Sequence, residues 1–354
     1  PCRVTPCRAA RRMLEHGGRL RAAAAHYGIP LADWLDLSTG INPSPWPLPP
    51  LPASVWQRLP EEEDGLEAAA AACYGNANLL PVAGSQAAIQ LLPTLLPRAM
   101  IACLSPLYAE HPQAWQNAGH RLRTLDGKLS RALAAATPYV LLCNPNNPTA
   151  SRHSRDALID AARRLNQRGG WLIVDEAFID PTPEDSVADL AGTADAPRLI
   201  VLRSLGKFFG LAGARVGFVL AAPDLLHQLR ERIGPWTISG PARAVARMAL
   251  ADRDWQLATR THLLAAGQRL HGLLAGLGEV RSTALFATLR SPETTNIHQT
   301  LAGIGILTRH FAQHGLLRLG LPGNEGEWHR LSVGLRSIPR PPTDAQQGDS
   351  HADS

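Results

Sequence analysis

The chain has 354 residues, a formal net charge of +5 and 45% apolar residues, enough for the cores of one or two folded domains. Its basic residues form no run of five or more, which argues against a nucleic-acid partner and favours a small anionic ligand. No apolar stretch approaches the roughly 18 residues of a membrane-spanning helix, so we expect no membrane partner.

The cysteines give little sign of a metal or disulfide framework, because none of the five forms a C-x-x-C pair. We expect free thiols of a cytoplasmic protein rather than disulfides or a zinc site. The arginine-rich beginning lacks the apolar core of a secretory signal, which agrees with that expectation. The five are Cys2, Cys7, Cys73, Cys103 and Cys143.

In chain order, the first part is a helix followed by the proline-rich stretch INPSPWPLPPLP, and we assign residues 1–52 to this helix and extended arm. From about residue 65 to 222, short apolar runs alternate with helical patterns. This alternation predicts an α/β fold with a mostly parallel sheet covered by helices, which forms a large domain at 53–235. The apolar runs are 100–104, 139–143, 171–175, 199–204 and 216–220.

The chain after residue 223 becomes mainly helical, with a long helical run at 241–276. Weaker strand patterns follow near 279–289 and 328–334. We predict a smaller α+β domain at 236–340. The proline-rich, polar end at 341–354 is expected to be a disordered tail.

Polar residues follow several of the predicted strands, and ligands bind at the carboxyl ends of parallel strands. Asn147 lies in NPNNPT after one strand, Asp175 ends the next, and Ser204 and Lys207 follow another. A helix begins at Gly84, in AGSQ. The topology therefore brings these residues to one edge of the sheet.

Each of these residues also has an ordinary structural explanation. Gly84 begins a helix, NPNNPT forms a turn, Asp175 caps a helix, Arg215 makes an ion pair, and Lys207 is a surface lysine. The set is more informative than its members, since Ser204, Arg215 and a helix N-terminus suit a phosphate. A carboxylate that keeps a ring nitrogen protonated and a lysine that forms a Schiff base complete the requirements of pyridoxal 5'-phosphate (PLP).

The segments SLGKFFGLAGARVG, NPNNPT and VDEAF resemble those of fold-type-I PLP-dependent transferases, close to histidinol-phosphate aminotransferases. The resemblance extends from about residue 14 to 338. It implies a homodimer and that Lys207 forms the Schiff base, Asp175 pairs with the pyridine nitrogen and Asn147 with the ring oxygen. It further implies that Tyr108 stacks on the ring, against the alternative of ordinary packing at a helix start. The implied phosphate ligands are Gly84, Ser85, Gln86, Ser204 and Arg215.

The N-terminal region bears on the reaction. The elements HGG at 16–18 and STGINP at 38–43 resemble those of threonine-phosphate decarboxylases of cobalamin biosynthesis. This resemblance implies a carboxy-lyase that converts L-threonine O-3-phosphate to (R)-1-amino-2-propanol O-2-phosphate and CO2. A histidinol-phosphate-type aminotransferase is the alternative. A third hypothesis, a binding module without catalysis, conflicts with the presence of Lys207.

A substrate with a carboxylate and a phosphate needs two anchors. We expect His16 and Gly17 to hold the phosphate with an arginine, for which Arg19 is a candidate. The alternative for HGG is a flexible helix entry. Arg330 matches the position where related enzymes bind the substrate carboxylate, which the backbone of Gly40 and Ile41 is expected to help orient. Asn147 is expected to contact the substrate as well. Arg336 is either a ligand for a second anion or a solvated surface arginine.

Two positions depart from the family pattern. Phe178 follows DEA where the family often has a tyrosine near the ring oxygen. Leu59-Pro60 stands where a Tyr-Pro element often reaches the cofactor phosphate of the neighbouring subunit. We expect the cofactor to bind without these two hydrogen bonds or with substitutes for them.

Overall fold

The computed structural model describes residue 14 and residues 16–338. The predicted tail at 341–354 lies outside these residues, as do Cys2 and Cys7. Within the described part of the chain, none of the helices has the length and apolar character needed to cross a bilayer.

The N-terminal region contains helix α1 (Leu20–Tyr27), the short strand β1 (Leu35–Asp36), an extended arm, and helices α2 (Ser54–Gln57) and α3 (Leu66–Tyr74). Helix α1 ends at Gly28, which adopts a left-handed conformation with φ of 69°.

A seven-stranded sheet forms the centre of the molecule, and its strand order is β2-β8-β7-β6-β5-β3-β4. All neighbours are parallel except β8, which runs antiparallel to both β2 and β7. The strands are β2 (Leu79–Val82), β3 (Met100–Ser105), β4 (Arg121–Asp126), β5 (Tyr139–Cys143), β6 (Trp171–Asp175), β7 (Leu199–Ser204) and β8 (Gly217–Leu220). The accompanying helices are α4 (Ser85–Leu95), α5 (Glu110–Asn117), α6 (Leu129–Ala134), α7 (Arg155–Gln167) and α8 (Pro223–Ile233).

The five strands predicted from apolar runs are confirmed, and so is the mostly parallel sheet. Strands β2 and β4 were not predicted. Strand β4 lies at the edge of the sheet and its sequence RLRTLD is largely exposed, so it carries no buried apolar run.

Both faces of the sheet are buried, as expected when helices cover a parallel sheet. In β5, Val140 and Leu142 belong to one apolar cluster and Leu141 belongs to the other. In β6, Val174 belongs to the first of these clusters and Ile173 to the second. Each fully buried aliphatic side chain contributes about 1.5–3 kcal/mol to the stability of this core.

The C-terminal region contains a four-stranded antiparallel sheet in the order β12-β13-β10-β9. Strand β1 pairs in parallel with β11, which ties the N-terminal region to this part of the molecule. The elements are α9 (Gly240–Ala251), α10 (Arg253–Leu274), β9 (Glu279–Ser282), β10 (Phe286–Arg290), α11 (Thr294–Gly303), β11 (Ile306–Leu307), β12 (Arg309–Phe311), β13 (Leu316–Gly320) and α12 (Glu325–Arg336).

Two predictions for this region need correction. The strand expected near 328–334 is wrong, because the segment belongs to helix α12, whose buried Trp328, Leu331 and Leu335 follow helical spacing. The single helical run at 241–276 is two helices that meet at Asp252. The carboxylate of Asp252 accepts a hydrogen bond from the Trp255 N–H and so begins α10.

The extended arm fixes the loop that follows β7. The backbone N–H of Asn42 donates to the carbonyl oxygen of Lys207 at 3.0 Å, and its amide donates to that of Phe208 at 2.8 Å. The Trp46 N–H donates to the Phe209 carbonyl at 2.9 Å. The loop that carries Lys207 is therefore held by a segment about 160 residues earlier in the chain.

The start of β8 leaves no room for a side chain at Gly217. A Cβ there would lie 2.5 Å from the Ser85 nitrogen and 2.9 Å from the Arg203 oxygen. We expect Gly217→Ala to lower the free energy of unfolding by about 1–3 kcal/mol, as overpacking does, measured by urea denaturation. The control is Gly213→Ala, whose Cβ would meet no atom within 4 Å and which should change stability by less than about 0.5 kcal/mol. Equal stability of the two variants would contradict this close approach.

Candidate active site

Lys207 lies in the loop after β7, half-buried, with its Nζ 5.5 Å from the centre of the Phe178 ring. Burial lowers its pKa to about 8, and the positive charges of Arg318 and Arg215 act in the same direction. The carboxylate of Asp175 opposes this shift. An ordinary lysine has only about one neutral amine in a few hundred at pH 8, whereas Lys207 is about half neutral there. The site therefore provides a reactive amine.

Asp175 lies at the carboxyl end of β6 and is buried. One carboxylate oxygen accepts from the Ala177 N–H at 3.0 Å, and the other bonds Nε2 of His111 at 2.8 Å. His111 lies on α5, and its side chain is only 1% exposed. The sequence analysis did not identify His111, because its partner is 64 residues away and only the fold brings them together.

The thiol of Cys143 lies beside this pair. One ligand atom from each of His111, Cys143 and Asp175 lies within 4.8 Å of the others. Burial raises the pKa of the thiol well above its usual value, and the N–H groups of Tyr108 and Asn147 point to the sulfur. Because His111 and Asp175 already bond each other, we interpret these residues as a hydrogen-bonded support for the carboxylate.

The start of α4 and the Arg215 guanidinium together form a cradle. Gly84 has a φ of 72°, and a Cβ there would lie 2.6 Å from an Arg215 guanidinium nitrogen. Ser204 is the register partner of Gly217, which adjoins the nitrogen of Ser85. The structure thus brings together the predicted phosphate ligands around a helix N-terminus, where free N–H groups and the helix dipole favour an anion.

Tyr108 connects the cradle to Asp175. Its hydroxyl donates to Gln86 Oε1 at 3.3 Å, and its ring lies 6.2 Å from that of His111. Burial raises the pKa of Tyr108 to about 12, so the phenol remains protonated at neutral pH. On another side of the ring lies His16, with the ring centres 6.0 Å apart.

Arg318 is the main residue that the sequence analysis missed. It is buried on β13, donates to Asn147 Oδ1 at 2.5 Å and donates to the Ser38 carbonyl. Its Nε has no hydrogen-bond partner within the described residues. Burial, together with the charge of Arg309, lowers the pKa of Arg318 to about 10. No sequence pattern pointed to Arg318, because strand β13 was not predicted.

The structure does not bring Arg330 or Arg336 to this cluster, which corrects the expected carboxylate ligand. Arg330 lies on α12 and donates to the carbonyl oxygens of Ile304 and Gly305, at 2.7 and 3.1 Å. The assignment of Arg330 relied on the resemblance of its segment to related enzymes. Arg336 is exposed in the last turn of α12, as expected of a solvated surface arginine.

The HGG segment at 16–18 lies against Ser38 and Thr39 of the STGINP element. Gly18 N–H donates to Ser38 Oγ at 2.7 Å, and any Cβ on Gly17 would collide with the Ser38 carbonyl. Gly40, with φ of 64°, packs between Phe178 and Phe286, and the half-buried Ile41 follows it. Arg19 is exposed just before α1.

Both positions that depart from the family pattern hold apolar side chains. Phe178 is buried with its ring against that of Phe286, at 5.0 Å between centres, so this position offers no hydrogen bond. Leu59 is 63% exposed and lies on the surface beside Pro60.

Residues 54–335 match the family model for aminotransferase class I and II, and the chain belongs to this family. It is 52% identical over 93% of its length to a threonine-phosphate decarboxylase from Pseudomonas aeruginosa, of which 99% is covered. It is 40% identical over 91% of its length to one from a Sinorhizobium species, of which 97% is covered. Among solved structures, it resembles a histidinol-phosphate aminotransferase from Sinorhizobium meliloti in complex with pyridoxal-5'-phosphate. That match has a TM-score of 0.75, 22% identity and coverage of 93% and 99% of the two chains, and it supports the fold-type-I architecture.

The chain has only two lysines, which makes the reactivity of Lys207 directly measurable. In cofactor-free protein we expect half-maximal reductive methylation of Lys207 near pH 8. Arg318→Met removes a positive charge and so raises the pKa of Lys207, which moves this midpoint to higher pH. Peptide mass analysis gives the extent of modification, with the exposed Lys128 as internal reference.

The matched control is Arg330→Met, which removes a guanidinium that bonds elsewhere and should leave the midpoint in place. If Arg318→Met also leaves it in place, the Arg318 guanidinium does not act on the Lys207 amine.

Proposed function

We propose that this protein is a PLP-dependent carboxy-lyase that converts L-threonine O-3-phosphate to (R)-1-amino-2-propanol O-2-phosphate and CO2 in cobalamin biosynthesis. One observation carries the proposal: the buried Arg318 and the segment at 16–18 both bond Ser38, which brings two candidate anchors for anions together. The high identity to a curated threonine-phosphate decarboxylase supports the same reaction.

The residues at the sheet edge fit the cofactor. Arg215 lies directly against Gly84, and α4 begins there with free N–H groups, so a phosphate finds both a guanidinium and backbone donors. When bound, PLP supplies an electron sink for negative charge at the substrate Cα. We propose that Gly84, Ser85, Gln86, Ser204 and Arg215 hold its phosphate, Asp175 its ring nitrogen, Asn147 its ring oxygen and Tyr108 its ring face.

Lys207 is the proposed nucleophile and proton carrier. With a pKa of about 8, its Nζ is neutral often enough to attack an aldehyde and to take up or return a proton at Cα. The hydrogen bonds from Ala177 and His111 fix the orientation of the Asp175 carboxylate, which keeps a proton on the ring nitrogen.

Two anchors then orient the substrate. Arg318, whose Nε is unpartnered within the described residues, binds the carboxylate together with Asn147 and the backbone at Gly40 and Ile41. His16 and Gly17 bind the phosphate. Fixing both anions limits rotation at Cα, and that orientation decides which Cα bond breaks. This is how one cofactor supports decarboxylation here and transamination in relatives.

We further propose that the protein acts as a cytoplasmic homodimer. Several large apolar side chains are exposed around the arm and the start of the C-terminal region, which supports a protein interface. They are Leu48, Trp56, Leu59 and Trp236, at 59–69% exposure. The free thiols of Cys73, Cys103 and Cys143 agree with a reducing compartment.

The reaction is tested by supplying PLP-loaded protein with O-phospho-L-threonine and no 2-oxoglutarate. We expect stoichiometric CO2 and amine release, which Lys207→Ala abolishes because no other residue replaces the amine. Histidinol phosphate with 2-oxoglutarate serves as the parallel assay for the alternative. Glutamate formation there, without CO2 from phosphothreonine, would favour the aminotransferase and overturn the proposal.

The same assay tests the carboxylate anchor. Arg318→Met should lower kcat/KM by about 100-fold, as expected when a charge-assisted contact to a carboxylate is lost. Arg330→Met, the matched arginine on α12, should stay within about threefold of the wild type. Equal losses of kcat/KM in the two variants would contradict the assignment of the substrate carboxylate to Arg318.

A further inference from the structure

Glu110, the first residue of α5, connects helix α4 to the segment at 16–18 through hydrogen bonds. One carboxylate oxygen accepts from the side-chain amides of Gln86 and Gln90, at 2.9 and 3.0 Å. The other lies 2.9 Å from Nε2 of His16. Because the Tyr108 hydroxyl donates to Gln86, a continuous hydrogen-bonded chain runs from Tyr108 through Gln86 and Glu110 to His16.

This carboxylate differs from an ordinary surface acid. Glu110 is 15% exposed, while its partner His16 is 42% exposed. The two glutamine amides fix one oxygen, so the other is aimed at the imidazole. An exposed pair such as His227 and Glu231 on α8, at 72% and 67% exposure, has no such support and is worth about 0–1 kcal/mol.

The contact leaves only one ring nitrogen of His16 for a ligand. Because Nε2 donates to Glu110, Nδ1 is the nitrogen that remains for a ligand. Both ring nitrogens donate at the same time only in the imidazolium form. The bond of Gly18 to Ser38 holds the segment close to the site at the same time.

We propose that Glu110 is a positioning residue for recognition of the substrate phosphate. It fixes the orientation of the His16 imidazole through Nε2, so that Nδ1 meets the phosphate. This inference rests on the proposed function, in which His16 binds the phosphate, and it adds a residue that does not touch the substrate.

The test uses PLP-loaded protein and two amines without a carboxylate, 1-amino-2-propanol O-2-phosphate and 1-amino-2-propanol, so no decarboxylation can occur. Calorimetry gives the Kd of each for the wild type, Glu110→Ala, His16→Ala, the double variant and the control Glu231→Ala. We expect Glu110→Ala to weaken binding of the phosphorylated amine about tenfold, as expected for a lost charged contact, and to leave the unphosphorylated amine within about twofold.

The double variant separates positioning from a general effect. If Glu110 acts through His16, the double variant binds the phosphorylated amine no more weakly than His16→Ala alone. Additive losses, tighter binding in Glu110→Ala, or an equal loss for both amines would overturn the inference. PLP affinity measured on each variant should remain within about twofold, because Ser85, Ser204 and Arg215 still hold the cofactor.

The outcome is independent of turnover. Absence of CO2 release with an intact coupling between Glu110 and His16 would overturn the proposed reaction but leave the role of Glu110. CO2 release together with additive losses of affinity would support the proposed reaction and overturn the role of Glu110.

Discussion

The site depends on placing an amine where a positive charge is disfavoured. Lys207 loses solvent and faces Arg318 and Arg215, so its pKa falls to about 8, and only Asp175 counters the shift. The same two guanidinium groups are suited to hold anions. A bound phosphate and a bound carboxylate would balance the positive charges of Arg215 and Arg318. One arrangement of charge thus serves both the reactivity of the amine and the binding of its ligands.

This arrangement requires distant parts of the chain. Strands β6 and β7 deliver Asp175 and the Lys207 loop to one edge of the sheet, while Arg318 comes from the antiparallel sheet of the C-terminal region. The N-terminal arm bonds the Lys207 loop, and Ser38 accepts from Arg318. The N-terminal region therefore contacts both the Lys207 loop and Arg318, although these lie far from it in the sequence.

The sequence predicted five strands of the seven-stranded sheet because each of them is a buried apolar run. Asp175, Ser204 and Lys207 needed only the strand pattern and the rule that ligands bind at strand ends. Arg318 was missed because the arginine itself interrupts the apolar run of its strand, LLRLG. Arg330 was chosen because HRLSVGLRS resembles the segment in which related enzymes carry the carboxylate-binding arginine. His111 and Glu110 act through partners distant in sequence, and such contacts appear only in the fold.

The central claim, that Lys207 is the amine that engages the cofactor, is tested most directly by borohydride reduction of the PLP-loaded protein and peptide mass mapping. With only two lysines in the chain, the two outcomes are easily separated. We expect one cofactor equivalent on the peptide that contains Lys207 and none on the peptide that contains Lys128. Cofactor on Lys128, or unchanged covalent incorporation into Lys207→Ala, would contradict it.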